Sequence, residues 1–349
     1  MSLVHELPLP ALERLVEQAT GTPPPLVLNE IVGGASVRRF FRVNVRGGGT
    51  VIAMFVPVQS HEFEKAGTAH RRWPFLEIRE LLETRGVRVP RLIAENCDES
   101  LILVEDLGET LAQHLVEHPE DREALYVAAV RDLAHAQRAL LDLPEDSIVR
   151  QRAFDEDLLA WELDHFREWA LDARGCALTS DERGIFDTAA RFLSQTIAAW
   201  PRGFVHRDYQ SRNLMVVRDD GRLRLAWIDF QDAMLGPRVY DLCALLGDSY
   251  QSFTPEFVEA RLAEFATHLE LAPEERDALR REFFLVMVQR KLKDAGRFVY
   301  IDRKLGNPSF LQFFESTVEK AQRALDEVRN EPPLAALSDL LERFFPRST

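Results

Sequence analysis

Near Glu109 the sequence changes its hydrophobic period, and that change limits the folds the chain can adopt. Before it, short apolar runs alternate with glycine turns. Residues 26–32 lead into Gly33-Gly34, residues 38–45 into Gly47-Gly48-Gly49, and residues 50–58 follow at once. This spacing predicts a three-strand meander, because glycine turns of positive φ let neighbouring strands pair. Residues 62–85 predict a helix, ended by Gly86 with Pro90 beyond it. Residues 91–95 and 101–104 predict two more strands across a polar turn at 96–100. Beyond Glu109, apolar residues return at three- and four-residue steps over 122–141, 155–171 and 181–200, the signature of long helices. One strand–turn–strand island interrupts them: 214–217, the turn Asp219-Asp220-Gly221, and 223–228. Helices are expected from there to the C-terminus. The expected class is α+β, with a small antiparallel-sheet lobe before a larger, mainly helical one and a ligand cleft between them.

A chain of 349 residues is long enough for two such lobes. Its formal net charge of -14 argues against nucleic acid as the main partner, since phosphate backbones attract basic surfaces. A phosphate-bearing small molecule stays compatible, because a few arginines and a metal can hold one locally. Cys97, Cys176 and Cys243 are far apart and form no CxxC pair, which predicts reduced thiols in a cytoplasmic protein. The first residues carry an early acid and no long apolar stretch, so no signal peptide is expected. The longest apolar run, 51–58, contains Pro57 and is far short of a membrane span.

The chemistry is concentrated in His206-Arg207-Asp208-Tyr209-Gln210-Ser211-Arg212-Asn213, of the form H-x-D-x-x-x-x-N. It lies between apolar Phe204-Val205 and the strand opening at Leu214, so it reads as a loop between buried elements. Phosphoryl transfer to a hydroxyl needs a carboxylate beside the nucleophile and oxygen ligands for magnesium. Asp208 suits the first role and Asn213 the second. Asp229, at the end of the apolar strand after the island's turn, is the expected second metal ligand. His206 reads as structural rather than catalytic.

The segments HRDYQSRNLM and IDFQDAMLGPRVYDL resemble those of the aminoglycoside/choline phosphotransferase superfamily, relatives of protein kinases. Within it, GGASVRRFFRV, VEDLG and QRKLKDAGRF are similar to the bacterial anomeric kinases of N-acetylmuramate and N-acetylglucosamine, which serve cell-wall recycling. The resemblance spans roughly residues 30 to 320. It implies a bilobal protein-kinase-like fold: nucleotide-binding lobe 1–103, hinge 104–108, catalytic and acceptor-binding lobe 109–349. It implies ATP and magnesium, with Asp208 as catalytic base and Asn213 and Asp229 as metal ligands. Backbone groups of Glu105 and Leu107 in the hinge would face the adenine. Asp241 would brace the catalytic loop, or else serve only as a helix cap or surface charge.

One departure sharpens the reading. Protein kinases place a lysine on the third strand to hold ATP phosphates. Here that strand is Thr50-Val51-Ile52-Ala53-Met54-Phe55-Val56 and has none, so Glu77 and Glu80 read as solvent-facing charges. Backbone N–H groups around Gly34 and the hydroxyl of Ser36 can face the phosphates instead. At least one of Arg38, Arg39 and Arg42 is expected to replace the lysine. His114 and His118 have a metal-like spacing but read as surface residues. Trp161, Asp164, His165 and Trp169 would suit a sugar, yet read as a core stripe with a solvated edge. The favoured acceptor is therefore a small sugar, probed at the hydroxyl, against three rivals. Those are an aminoglycoside- or choline-type amine acceptor, a protein, and a non-catalytic nucleotide-binding pseudokinase.

Overall fold

The computed structural model describes residues 7–31, 38–57 and 73–347. They form two compact units: the residues up to Glu109 together with Met215–Gln231, and Thr110–Leu214 together with the residues from Asp232 onward.

In the first unit, α1 (Leu9–Thr20) precedes a five-stranded antiparallel sheet. Its strands are β1 (Leu28–Ile31), β2 (Arg39–Asn44), β3 (Thr50–Phe55), β4 (Leu92–Asn96) and β5 (Leu101–Glu105), ordered β1-β2-β3-β5-β4. The expected meander is present. Asn44 pairs with Thr50, and Gly47, Gly48 and Gly49 all take positive φ in the turn between them, which a side chain would resist. The period-2 pattern puts Phe41, Val43, Val51, Ala53, Leu101 and Leu103 on one face. Against that face packs α1, through Ala11, Leu12, Leu15 and Val16. The sequence reading missed α1, although these four residues carry a helical spacing. The helix expected at 62–85 is observed as α2 (Pro74–Thr84); residues 58–72 lie outside the described residues.

The chain passes between units at the two-residue strand β6 (Glu109–Thr110). The later hairpin of β8 (Leu214–Asp219) and β9 (Arg222–Trp227) turns at Asp220 and Gly221, both at positive φ. The sequence boundary put this hairpin with the helices. From Met215 it belongs instead to the first unit, because Met215, Val217, Ala226 and Ile228 pack with Leu107. The Trp227 N–H also donates to Arg88 O at 2.8 Å, and Phe230 stacks on Phe75 at 5.1 Å.

The second unit is mainly helical: α3 (Leu111–Glu117), α4 (Arg122–Ala139), α5 (Glu156–Phe166), α6 (Ser180–Ala198), α7 (Tyr240–Leu246), α8 (Pro255–His268), α9 (Pro273–Leu305), α10 (Phe314–Glu327) and α11 (Pro332–Phe344). Two short strands, β7 (Arg202–Val205) and β10 (Met234–Pro237), pair antiparallel. β10 is a second correction, since only helix was expected there. The long α9 packs against α5 and α10. Gly296 allows the first approach: a Cβ there would lie 2.8 Å from His165 O and from Phe166 Cα. Among the described residues no helix is long and apolar enough to cross a membrane.

Candidate active site

The loop from His206 to Asn213 joins β7 to β8, and buried carboxylates pin it at both ends. The Asp241 carboxylate on α7 accepts the N–H of His206 at 2.6 Å and of Arg207 at 2.9 Å. Fully buried, it is a brace and not a surface charge. Near the other end, the Ser211 N–H and hydroxyl donate to Asp248 Oδ2 at 2.9 and 2.5 Å. Between them, the Tyr209 hydroxyl donates to Ala129 O at 2.9 Å. Arg207 is held at φ +82°, a conformation that costs energy for a side-chain-bearing residue and persists only where its surroundings enforce it. His206 is fully buried, and its Nδ1 accepts the Asp208 N–H at 3.3 Å. The residue thus shapes the loop from inside.

Asp208 and Asn213 are brought together. The Asn213 side-chain Nδ2 donates to Asp208 O at 2.9 Å, which leaves Oδ1 as the available ligand atom of that amide. The Asp208 side chain keeps 38% of its accessibility, yet its Oδ1 accepts Arg290 Nη2 at 3.3 Å. Crowding desolvates the carboxyl and by itself raises its pKa. Arg290, Lys293 and Arg207 outweigh that and hold it below the usual carboxylate range, against a smaller opposing push from Asp294. A base that is ionised and still reachable is what proton acceptance from a hydroxyl requires. Asp241 goes the other way: burial raises it to about 7, although both loop N–H groups and Arg290 favour its charge.

Sequence reasoning missed the side chains behind this electrostatics. On α9, Arg290 is 2% exposed; its Nη1 donates to Arg207 O at 2.7 Å, and its guanidinium lies 5.0 Å from the Tyr240 ring. One turn on, Asp294 meets Lys291 Nζ at 2.6 Å and Lys293 Nζ at 3.0 Å. Burial would raise the Asp294 carboxyl, but Lys291, Lys293 and Arg290 hold it far below the ordinary range. From α5, buried Glu162 accepts Gln289 Nε2 at 2.8 Å and lies 3.8 Å from Arg207 Nη2. The signal was present: Arg290 and Lys291 lie in a stretch of α9 where Leu285, Val286, Met287, Val288 and Leu292 are also buried, with Lys293 and Asp294 just beyond. Buried charge at helical spacing marks a site.

The remaining candidates belong to the first unit. Asp229 sits at φ +64°, and its Oδ1 accepts Arg38 Nη2 at 2.7 Å and Gln231 Nε2 at 3.1 Å. Of the three candidate arginines, Arg39 is bound twice to Glu30 and Arg42 twice to Asp106. Among the described residues, Arg38 alone of the three reaches a predicted site residue. The Glu105 N–H donates to Arg91 O at 3.0 Å, so of its backbone groups the carbonyl alone can serve a purine. Its carboxylate accepts Arg88 Nη2 at 2.8 Å. Leu107 is buried in the hairpin cluster. Gly34 and Ser36 lie outside the described residues.

Asn213 and Asp229 suit magnesium chemically. An amide oxygen and a carboxylate are each the kind of hard oxygen donor that magnesium takes. The Arg38 guanidinium now supplies Asp229 with positive charge, as a metal ion would. Among the described residues no three His, Cys, Asp or Glu side chains gather as a metal cluster. His114 is not the surface residue expected. It is 2% exposed, with Nε2 2.9 Å from Asp121 Oδ2, while His118 stays exposed.

Residues 27–280 match the model of the phosphotransferase enzyme family. A Pseudomonas aeruginosa N-acetylmuramate/N-acetylglucosamine kinase is 31% identical over 94% of this chain and 92% of its own length. The Pseudomonas putida protein of the same name is 29% identical over 93% and 90%. Among solved structures, a choline/ethanolamine kinase family protein from Mesorhizobium loti superposes with TM-score 0.59 at 13% identity, over 95% of this chain and 97% of that one. The GDP complex of an aminoglycoside 2'-phosphotransferase gives TM-score 0.60 at 12% identity, over 93% and 99%. These two likenesses show the protein-kinase-like fold.

Proposed function

The chain belongs to the phosphotransferase enzyme family and is a small-molecule kinase, and from that premise we propose that it transfers the γ-phosphate of ATP to the anomeric hydroxyl of N-acetylmuramate or N-acetylglucosamine. The observation that carries the chemistry is Asp208, exposed enough to be reached and kept ionised by Arg290. The acceptor rests on the relatives, which share about 30% identity over nearly the whole chain. The cytoplasm and a place in cell-wall recycling follow from the same reading.

Asp208 orients the sugar hydroxyl and takes its proton as the oxygen attacks the γ-phosphorus. The new O–P bond forms while the bond to the β-phosphate bridging oxygen breaks, and ADP leaves. Asp241 and Arg290 act before the reaction, fixing the loop and its charge so that little reorganises during transfer. Residues 104–108 serve as the hinge, with backbone groups of Glu105 and Leu107 toward the adenine. Gly34, Ser36 and Arg38 face the phosphates, Arg38 in place of the absent strand lysine. Asn213 and Asp229 would hold magnesium, which when bound neutralises charge on the transferring phosphoryl group.

An ATP-consumption assay with N-acetylmuramate, N-acetylglucosamine, kanamycin and choline, followed by phosphorus NMR of the product, tests this. A sugar 1-phosphate is expected. Turnover of kanamycin or choline alone would replace the acceptor, and nucleotide binding without turnover of any acceptor would leave a pseudokinase.

A further inference from the structure

Trp161 is 60% exposed, an unusual position for an indole on a helix that buries Leu159, Leu163 and Phe166. Its ring stacks on His165, one turn along α5, at 5.4 Å and 29°. His165 is 7% exposed, lies 5.3 Å from the Tyr300 ring of α9, and has no hydrogen-bond partner on its Nε2. A buried ring nitrogen without a partner costs free energy unless a ligand or water completes it. Immediately after these residues α5 widens into a π-helical turn, Arg167–Leu171, a distortion frequent at functional sites.

Cations rim this aromatic surface. Arg297 lies over Tyr300 at 4.8 Å and Lys304 over Trp169 at 5.4 Å. Neither is paired with a carboxylate among the described residues, although the chain carries a net charge of -14. Lys293, one turn before Arg297, adds a third positive group facing His165. Burial lowers the His165 pKa to about 4, and Arg297 and Lys293 reinforce this against Asp164. The imidazole is therefore neutral at ordinary pH and adds no charge of its own beneath the indole.

The surface is linked to the catalytic loop through α9. Arg290 on that helix donates to Asp208, and Arg297 follows two turns later, about 10 Å along the axis at the usual helical rise. Lys293 lies between them. A ligand with an apolar ring face and an anionic arm would complement both the aromatic face and the cations. Amine-bearing acceptors would meet like charge here.

We propose that Trp161, His165 and Arg297, with Lys293 beside them, form the acceptor subsite for an N-acetylated amino sugar carrying a carboxylate. Trp161 covers one face of the pyranose, His165 supports that indole by stacking on it, and Arg297 pairs with the carboxylate of N-acetylmuramate, which N-acetylglucosamine lacks. This rests on the sugar-kinase reading above.

Steady-state kinetics of the full chain test it, with both sugars and with ATP varied. Arg297→Ala is expected to raise KM for N-acetylmuramate about tenfold, the scale of one lost charge-assisted hydrogen bond, while KM for N-acetylglucosamine and for ATP stay put. Arg297→Lys should recover most of the loss. Trp161→Ala should raise KM for both sugars and leave that for ATP alone. Both residues are exposed, and urea midpoints matching wild type would confirm folding. An Arg297→Ala effect equal on the two sugars, or absent from both, overturns the subsite while the sugar-kinase function stands. A wild-type protein that turns over neither sugar removes the function and the subsite together.

Discussion

In the first unit arginines meet carboxylates beside solvent; in the second, a whole group of ions is closed in around the loop from His206 to Asn213. Arg42 meets Asp106 and Arg88 meets Glu105, each pair with one partner well exposed. Around Asp208, by contrast, Arg290, Lys291 and Glu162 are almost inaccessible, and each has more than one charged or hydrogen-bonded neighbour. Exposed pairs gain little because water competes for both ions. Buried ones gain little net stability as sets but lose much when one member is removed, since the remainder keeps its desolvation cost. The second arrangement suits a site that must hold one carboxylate ionised in a fixed place. The first suits charges that change partner, as Arg38 would if a metal took its place on Asp229.

The largest expected effect comes from the group this network serves. Asp208→Asn keeps the shape of the loop but removes the proton acceptor, and kcat should fall by about 10²–10⁴-fold. Circular dichroism should match wild type, and the urea midpoint should fall less than in the Arg290 variant because Arg290 keeps Asp294 as a neighbour; a kcat within threefold would exclude Asp208 as the base. Next comes Arg290→Met, of similar volume. It leaves Arg207 O and Asp208 without their donor and should cost about 3–5 kcal/mol in urea unfolding, together with a drop in kcat. A loss under 1 kcal/mol would show that Lys291 and Lys293 already satisfy the buried acids.

What the sequence disclosed follows the same division. The loop from His206 to Asn213 was legible because its chemistry is local: a carboxylate, an amide and the flanking apolar strands lie within a few residues. The meander was legible from its glycines. Arg290 and Glu162 were not, because they approach Asp208 and Arg207 from helices distant in the chain, and nothing in their own segments says which loop they face. Asp241 stood undecided between brace and surface charge until its two bonds to loop N–H groups settled the matter. α1 was overlooked amid strand signals, and β10 was hidden by a Gly-Pro pair that suggests a turn. The hairpin was recognised but placed with the wrong unit, since the packing of Met215 and Ala226 on Leu107 is non-local.

A smaller effect reaches the comparison through pH. The His165 pKa falls from about 6.5 in the unfolded chain to about 4 in the folded one, by burial first and then by Arg297 and Lys293. Its contribution is fully present above the unfolded value and is lost as pH falls from 6.5 through 4, where the unfolded chain binds the extra proton. The Tm of wild type should therefore drop more than that of His165→Phe between pH 7 and pH 4.5. Parallel curves would mean that His165 charges freely in the folded protein.

The smallest effect should lie in the first unit. Asp106 receives Arg42 at 2.5 Å, but also the Thr50 hydroxyl at 2.6 Å and the Gly108 N–H at 3.0 Å. Arg42→Ala thus removes one donor of several from a carboxylate whose partner was 39% exposed. Unfolding in urea should show a loss of only about 0.5–1 kcal/mol, with the KM for ATP unchanged. A loss as large as that of Arg290→Met would mean that the Asp106 cluster is as closed as the one around Asp208, and the contrast between the two units would fail. A raised KM for ATP would instead move the role of the missing strand lysine from Arg38 to Arg42.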